Sequence, residues 1–261
     1  MESQKNVEEP LPLMFTRLRE TGFSPRKLQG KTTSIIGLGG LGVLVANMLV
    51  RLGIGHVILI DQDVVGEENL NRLGYGPDDV GKSKVSATKE KMETFQELRG
   101  RFTLQVDTYK RNIIAWAGLK EVVERSEVVF GCLDNLEARL EVNHWILKLT
   151  KPLVDGGTSP NGLRGRIDTV IPPHSPCLGC YYDDSTLTSL GEENDYLCDR
   201  SVPTVMNLVA SLQVDQGIRI MLKKNGIYPR ILINLEGQVK VSGVKNVKKR
   251  ANCRYCGKIE R

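Results

Sequence analysis

The chain is 261 residues long, enough to bury a full core, and its 40% hydrophobic and 26% charged residues are an ordinary globular balance that excludes a disordered or fibrous class. Lys+Arg 36 against Asp+Glu 31 leaves a formal charge of +5, and the clearest basic run, Lys245 to Arg250, has no aromatic platform beside it, so it reads as a solvated face and not as a nucleic-acid surface. No apolar run approaches the roughly 18 residues of a membrane span and the start MESQKNVEEPLP is acidic, unlike a secretory leader, so the expectation is a cytoplasmic protein whose six cysteines serve metal binding and catalysis.

Residues 1–14 read as a flexible lead-in and residues 15–261 as one domain. Thr33 to Ile36 is a short β-branched strand, Gly37-Leu-Gly-Gly-Leu-Gly42 a tight turn, and Val43 to Arg51 an apolar helix; His56 to Ile60 is a second buried strand ending at Asp61. In that setting Gly37, Gly39, Gly40 and Gly42 let backbone approach phosphate oxygens at a helix N-terminus, and Asp61 is placed to bond a ribose hydroxyl. Gly76-Pro-Asp-Asp-Val-Gly81-Lys82-Ser83 also satisfies the Walker A expression. No buried strand precedes it, however, and Asp78 and Asp79 would put negative charge inside a phosphate nest, so it is read as a chance match.

Around this segment lie Asn69, Arg72 and Lys84, the last at the start of the helix KVSATKEKMETFQEL, with side chains suited to clamping a triphosphate. A third buried strand, Glu127 to Leu133, runs into Asp134-Asn135 and a helix through Leu149. Carboxyl ends of parallel strands line one crevice, so Asp61 and Asp134 are expected to face a common site, where a carboxylate can hold Mg²⁺ against phosphate.

Leu153 to Asp155 and Arg164 to Ile171 read as further strands, followed by the pair Cys177/Cys180 in a loop. With Cys253/Cys256 near the C-terminus, it makes two Cys-x-x-Cys pairs, the set a tetrahedral structural zinc requires; redox-active pairs are the alternative. Cys198 is left over in the polar loop EENDYLCDR, just before Pro203 and a long apolar helix through about Leu222. The helix N-terminus and Arg200 would lower its pKa, while Glu192, Glu193, Asp195 and Asp199 push the other way. Arg230 to Leu235 and Val239 to Ser242 form a hairpin pattern across Glu236-Gly-Gln. The fold expected is α/β: a Rossmann-like mixed sheet of about eight strands, parallel at the nucleotide end, antiparallel at the C-terminal end and stapled by zinc.

GLGGLG, Asp61-Gln-Asp63, Glu68-Asn-Leu-Asn-Arg72, Gly81-Lys-Ser-Lys84, Cys132-Leu-Asp134-Asn135 and the paired Cys-x-x-Cys motifs occur here in order, and that order resembles the ubiquitin-activating enzyme superfamily. CLDNLEAR at Cys132 to Arg139 and Cys198-Asp-Arg-Ser201-Val-Pro203-Thr204 are most similar to its short, homodimeric activators of ubiquitin-fold modifiers; the molybdopterin and thiamine sulfur-carrier adenylyltransferases are also similar. The resemblance implies an ATP- and Mg²⁺-dependent adenylation domain over residues 15–261. It implies nucleotide contacts from Gly39, Asp61, Asp63, Asn69, Arg72, Lys84, Asn112, Asp134 and Asn135, with Lys84 preferred to Lys82 because it directly precedes Val-x-Ala. Arg17 holds the place of an arginine that such enzymes insert into the partner subunit's ATP site.

The implied chemistry is adenylation of a ubiquitin-like protein's C-terminal glycine with release of pyrophosphate, then thioester formation on Cys198 and transfer toward a conjugating enzyme. The catalytic set is thus Cys198, Arg17, Lys84 and Arg72. The first alternative is a sulfur-carrier adenylyltransferase without an obligatory enzyme thioester. The second, a NAD-dependent dehydrogenase, is all that the glycine turn and Asp61 alone would require.

Overall fold

A computed structural model of the chain describes residues 10–71, 74–159, 161–182 and 202–257. Its strands are β1 (Thr32–Ile36), β2 (His56–Ile60), β3 (Gln105–Tyr109), β4 (Val128–Gly131), β5 (Leu153–Thr158), β6 (Arg164–Val170), β7 (Arg230–Asn234) and β8 (Lys240–Val244). The helices are α1 (Thr16–Glu20), α2 (Arg26–Gln29), α3 (Gly42–Leu52), α4 (Lys84–Glu93), α5 (Gly118–Arg125), α6 (Leu136–Leu149) and α7 (Pro203–Met221).

The strands form one eight-stranded sheet in the order β3-β2-β1-β4-β5-β6-β7-β8. Pairing is parallel from β3 through β5 and antiparallel from β5 through β8, as the sequence led us to expect. The central strands are apolar on both faces because both faces are covered. Successive residues alternate between two cores: Ile35, Val57, Leu59 and Phe130 pack with residues of α3, α4 and α7 on one side. Ile36, Ile58, Ile60 and Val129 pack with α5, α6 and the cysteine pairs on the other.

From β1 the chain winds to β2 and β3, then crosses back to β4 on β1's other side. That reversal leaves a crevice above the carboxyl ends of β1 and β4, where open α/β sheets bind ligands. Gln213 of α7 braces its floor: the side-chain amide donates 2.8 Å bonds to the carbonyls of Gly131 in β4 and Val154 in β5. β3, an edge strand with Val106 as its buried position, had gone unread in the sequence. Among the described residues no helix is long and apolar enough to cross a membrane.

Candidate active site

The glycine turn after β1 is held by sterics. Gly37 has φ +89°, and a Cβ there would sit 2.5 Å from the Cys132 carbonyl oxygen. A Cβ at Gly42, the first residue of α3, would strike the Gly37 carbonyl at 1.8 Å. Gly39 is different: a Cβ there would meet nothing within 4 Å. Packing therefore does not demand glycine at this position, whereas close approach of an anion to the backbone does.

Asp61, at the end of β2, ties itself to that turn. Its two oxygens accept from the Leu38 N–H at 2.6 Å and the Asp63 N–H at 2.8 Å. Burial raises its pKa above the usual carboxylate value, opposed by Lys84 and by those two N–H donors. Lys84, buried at the start of α4, donates to Asp63 at 2.8 Å. On the other side, Asn135 caps α6 by accepting from the Ala138 N–H at 2.8 Å, and its amide donates to Asp134 at 3.1 Å. Asp134 itself is exposed at the mouth.

These groups line one cavity of about 520 Å³. Gly37, Gly39, Gly40, Asp61 and Asp63 form one wall, Asn69 and Lys84 a second, and Asn112, Asp134 and Asn135 the side facing them. Gly42 lies behind the turn rather than on the cavity surface. Arg72 and Cys198 lie outside the described residues. Arg111, Thr158 and Met206 also line the cavity and had not been singled out. Arg111 was findable in principle, because it follows the carboxyl end of β3 just as Asp61 follows β2. Beside this wall the Tyr109 and Trp116 rings pack with centroids 5.2 Å apart. Cys132 also lines the cavity, and burial pushes its thiol up to about 12, so it stays protonated.

The Walker-like segment takes no part. Its Gly76 N–H is bonded by Asp79 at 2.7 Å, and Lys82 pairs with Glu90 at 2.7 Å. Arg17, exposed on α1, lines a second cavity of about 780 Å³ with Met48, Arg51 and Leu52 from the C-terminal end of α3. α3 begins at the glycine turn, so Arg17 stands at the helix end away from its own chain's nucleotide crevice.

Cys177, Cys180, Cys253 and Cys256 bring their sulfurs within 4.8 Å of one another. Neighbouring Sγ–Sγ separations of 3.4, 3.6 and 3.9 Å match the roughly 3.8 Å edge of a tetrahedron with 2.3 Å Zn–S bonds. The cluster also has the protonation chemistry of a cation site. A hydrogen bond from Cys177 brings the Cys180 thiol down to about 4, while that bond, burial and neighbouring thiolates hold Cys177's own proton firmly. A bound cation stabilises the full set of thiolates. The Leu178 N–H bonds Asn143 of α6 at 3.0 Å, fastening the knot to the sheet's covering layer.

Three curated proteins named Ubiquitin-like modifier-activating enzyme 5 are similar to the chain. That of Dictyostelium discoideum is 34% identical over 199 residues, covering 72% of this chain and 52% of its own length. The Oryza sativa protein is 31% identical, with 80% and 52% covered. The mouse protein is 31% identical, with 76% and 51% covered. The chain thus spans about half the length of these relatives. Among solved structures, E. coli MccB with ATP superposes with TM-score 0.73 at 23% identity, covering 89% of this chain and 68% of that one. MccB with AMPCPP and MccA gives 0.77 at 20% identity, covering 96% and 75%. The shared fold extends to the sequence, where the ThiF family model matches residues 13–255, and the chain belongs to the ThiF family.

Proposed function

We propose that the chain is an adenylation domain, residues 15–261, that activates a ubiquitin-like protein with ATP in the cytoplasm. The observation that carries this reading is the meeting of the glycine turn, Asp61, Lys84, Asn112 and Asp134-Asn135 in one cavity. A dehydrogenase would use the first two and leave the others without a task. The similarity to activating enzymes of ubiquitin-like modifiers points to the acyl substrate.

In this reading ATP lies with its phosphates over Gly39 and Gly40 and its ribose on Asp61. Lys84 and Arg72 neutralise phosphate charge, and Asn69, Asn112 and Asn135 orient the nucleotide. Asp134, an open hard-oxygen donor, is the group to hold Mg²⁺, which when bound neutralises phosphate oxygens. The modifier's C-terminal carboxylate is already ionised at neutral pH and needs no base. Its oxygen attacks the α-phosphorus; the bond from that phosphorus to the bridging oxygen breaks, and pyrophosphate leaves with the electron pair. Two anions meet in this step, so catalysis consists of positioning and charge neutralisation. The Cys198 thiolate then attacks the acyl carbon, forming the thioester and expelling AMP, before transfer to a conjugating enzyme.

We assign Arg17 to the cavity of a second copy in a homodimer. In support, α3 separates Arg17 from its own glycine turn by about 16 Å of helix rise. The zinc's part in this reading is structural.

The test combines ATP–pyrophosphate exchange with a non-reducing gel, using Mg-ATP and a ubiquitin-like protein bearing a free C-terminal glycine. Asp134→Ala is expected to abolish exchange, whereas Cys198→Ala spares exchange and removes the thiol-sensitive enzyme–modifier band. Exchange without that band in the wild type would move the reading to a sulfur-carrier adenylyltransferase, and loss of exchange in Cys198→Ala would refute the separation of the two steps.

A further inference from the structure

Behind the turn that carries Asp134 runs a row of buried charge. Asp155 of β5 and Asp168 of β6 are register partners across the antiparallel pair, each 1% exposed. Two like charges so placed demand cations. Arg166 bonds Asp155 at 3.0 Å and also pairs with Asp168, which Arg230 grips at 2.5 and 3.0 Å. Arg166 and Arg230 alone therefore balance both carboxylates.

Arg139 of α6 is a third cation in the row, 5% exposed, and charge balance does not account for it. Besides Asp155, its guanidinium donates to two carbonyls: Gly156 at 2.9 Å and Leu133. Leu133 lines the nucleotide cavity and immediately precedes Asp134. The short turn Leu133-Asp134-Asn135 is thus pinned at both ends, by Arg139 under its first carbonyl and by the Asn135 cap on α6. All three turn residues line the cavity, and Asp134 is the exposed one at its mouth.

We propose that Arg139 is a positioning residue for Mg-ATP, fixing the Leu133 carbonyl and through it the aim of the Asp134 carboxylate; this rests on the adenylation reading above. A guanidinium suits the task because its planar fork serves acceptors in several directions at once, while an ammonium of the same charge holds Asp155 and gives up the turn. Arg166 supplies an internal control, since it touches the same Asp155 and no atom of the turn.

The experiment is calorimetric titration of Mg-ATP into wild type, Arg139→Lys and Arg166→Lys, each also in an Asp134→Asn background, with Tm measured for every variant. Arg139→Lys should weaken Mg-ATP about tenfold and Arg166→Lys less than about twofold, and the Arg139→Lys loss should shrink below about twofold once Asp134 is Asn. A merely structural arginine moves Tm and leaves that pattern absent. Binding by Arg139→Lys equal to wild type, a loss no greater than that of Arg166→Lys, or an undiminished loss in the Asp134→Asn background would overturn the inference. Arg139→Gln replaces the lysine variant should the latter not fold. Failure of wild type to bind Mg-ATP is a distinct result, which removes the adenylation reading itself and the inference with it.

Discussion

Asp61 shows how a single residue serves the site at the expense of stability. It accepts two backbone N–H bonds, yet burial still raises its pKa above the ordinary value. The native state therefore holds the proton more tightly than the unfolded chain. The resulting stabilisation is complete below about pH 4 and is lost as pH rises through the elevated native pKa, so ionised Asp61 is a standing cost at neutral pH. Urea unfolding at about pH 4 and pH 7 should show a smaller decline for Asp61→Asn than for wild type, with ATP affinity reduced; an identical decline would mean that the charge at 61 is fully compensated. Asp61 was legible in the sequence because it ends an apolar strand after a glycine turn. Arg139 was not, since its partners, the Leu133 carbonyl, Asp155 and the Gly156 carbonyl, come together only when β5 lies beside β4 and beneath α6.

At the scale of elements, the strands that could be read were those whose β-branched runs are buried on both faces. β1, β2, β4 and the β7–β8 hairpin are of this kind or are marked by a turn, and β5 and β6 were read as well, β5 only over its first three residues. β3 carries no such run, because an edge strand pairs on one side and buries little; Arg111 was missed with it, while its neighbour Asn112 was named through the family resemblance alone. The end of α3 depends on another unheralded residue. Arg99, fully buried, donates to the carbonyls of Val50 and Ile54 at 2.5 Å each and of Phe102 at 3.0 Å. Burial lowers its pKa to about 10, so it remains charged at neutral pH. Arg99→Met strands those carbonyls without a donor and should cost about 3 kcal/mol in urea unfolding. A loss below about 1 kcal/mol would show that water or relaxed backbone satisfies them instead.

For the molecule as a whole, the two cysteine pairs join distant parts of the chain. Leu178–Tyr181 follows β6, and Cys253 and Cys256 follow β8, yet their thiols belong to the same buried core as Ile36 and Val129. The spacing made this knot legible before any coordinates, because two short pairs of thiols have few other uses. Cys253→Ser should abolish stoichiometric zinc and lower stability by about 3 kcal/mol or more, while Mg-ATP affinity at 25 °C changes less than about twofold. Unaltered stability in the zinc-free variant would show that the cores hold the tail unaided. Arg17 was named in the sequence through the family resemblance alone, because its proposed target lies on another copy of the chain.

The chain has two tryptophans, and Trp116 stands against Tyr109 at the end of β3, close to the Arg111–Ile114 wall of the cavity. Trp145 lies on α6, held by Glu141 at 3.2 Å. Indole emission is sensitive to local polarity, so the protein carries a native optical reporter of cavity occupancy. Nucleotide filling the crevice should change the emission of Trp116, and Trp116→Phe should silence that change while leaving the signal of Trp145, which would make occupancy measurable in a cuvette without labels or a coupled assay.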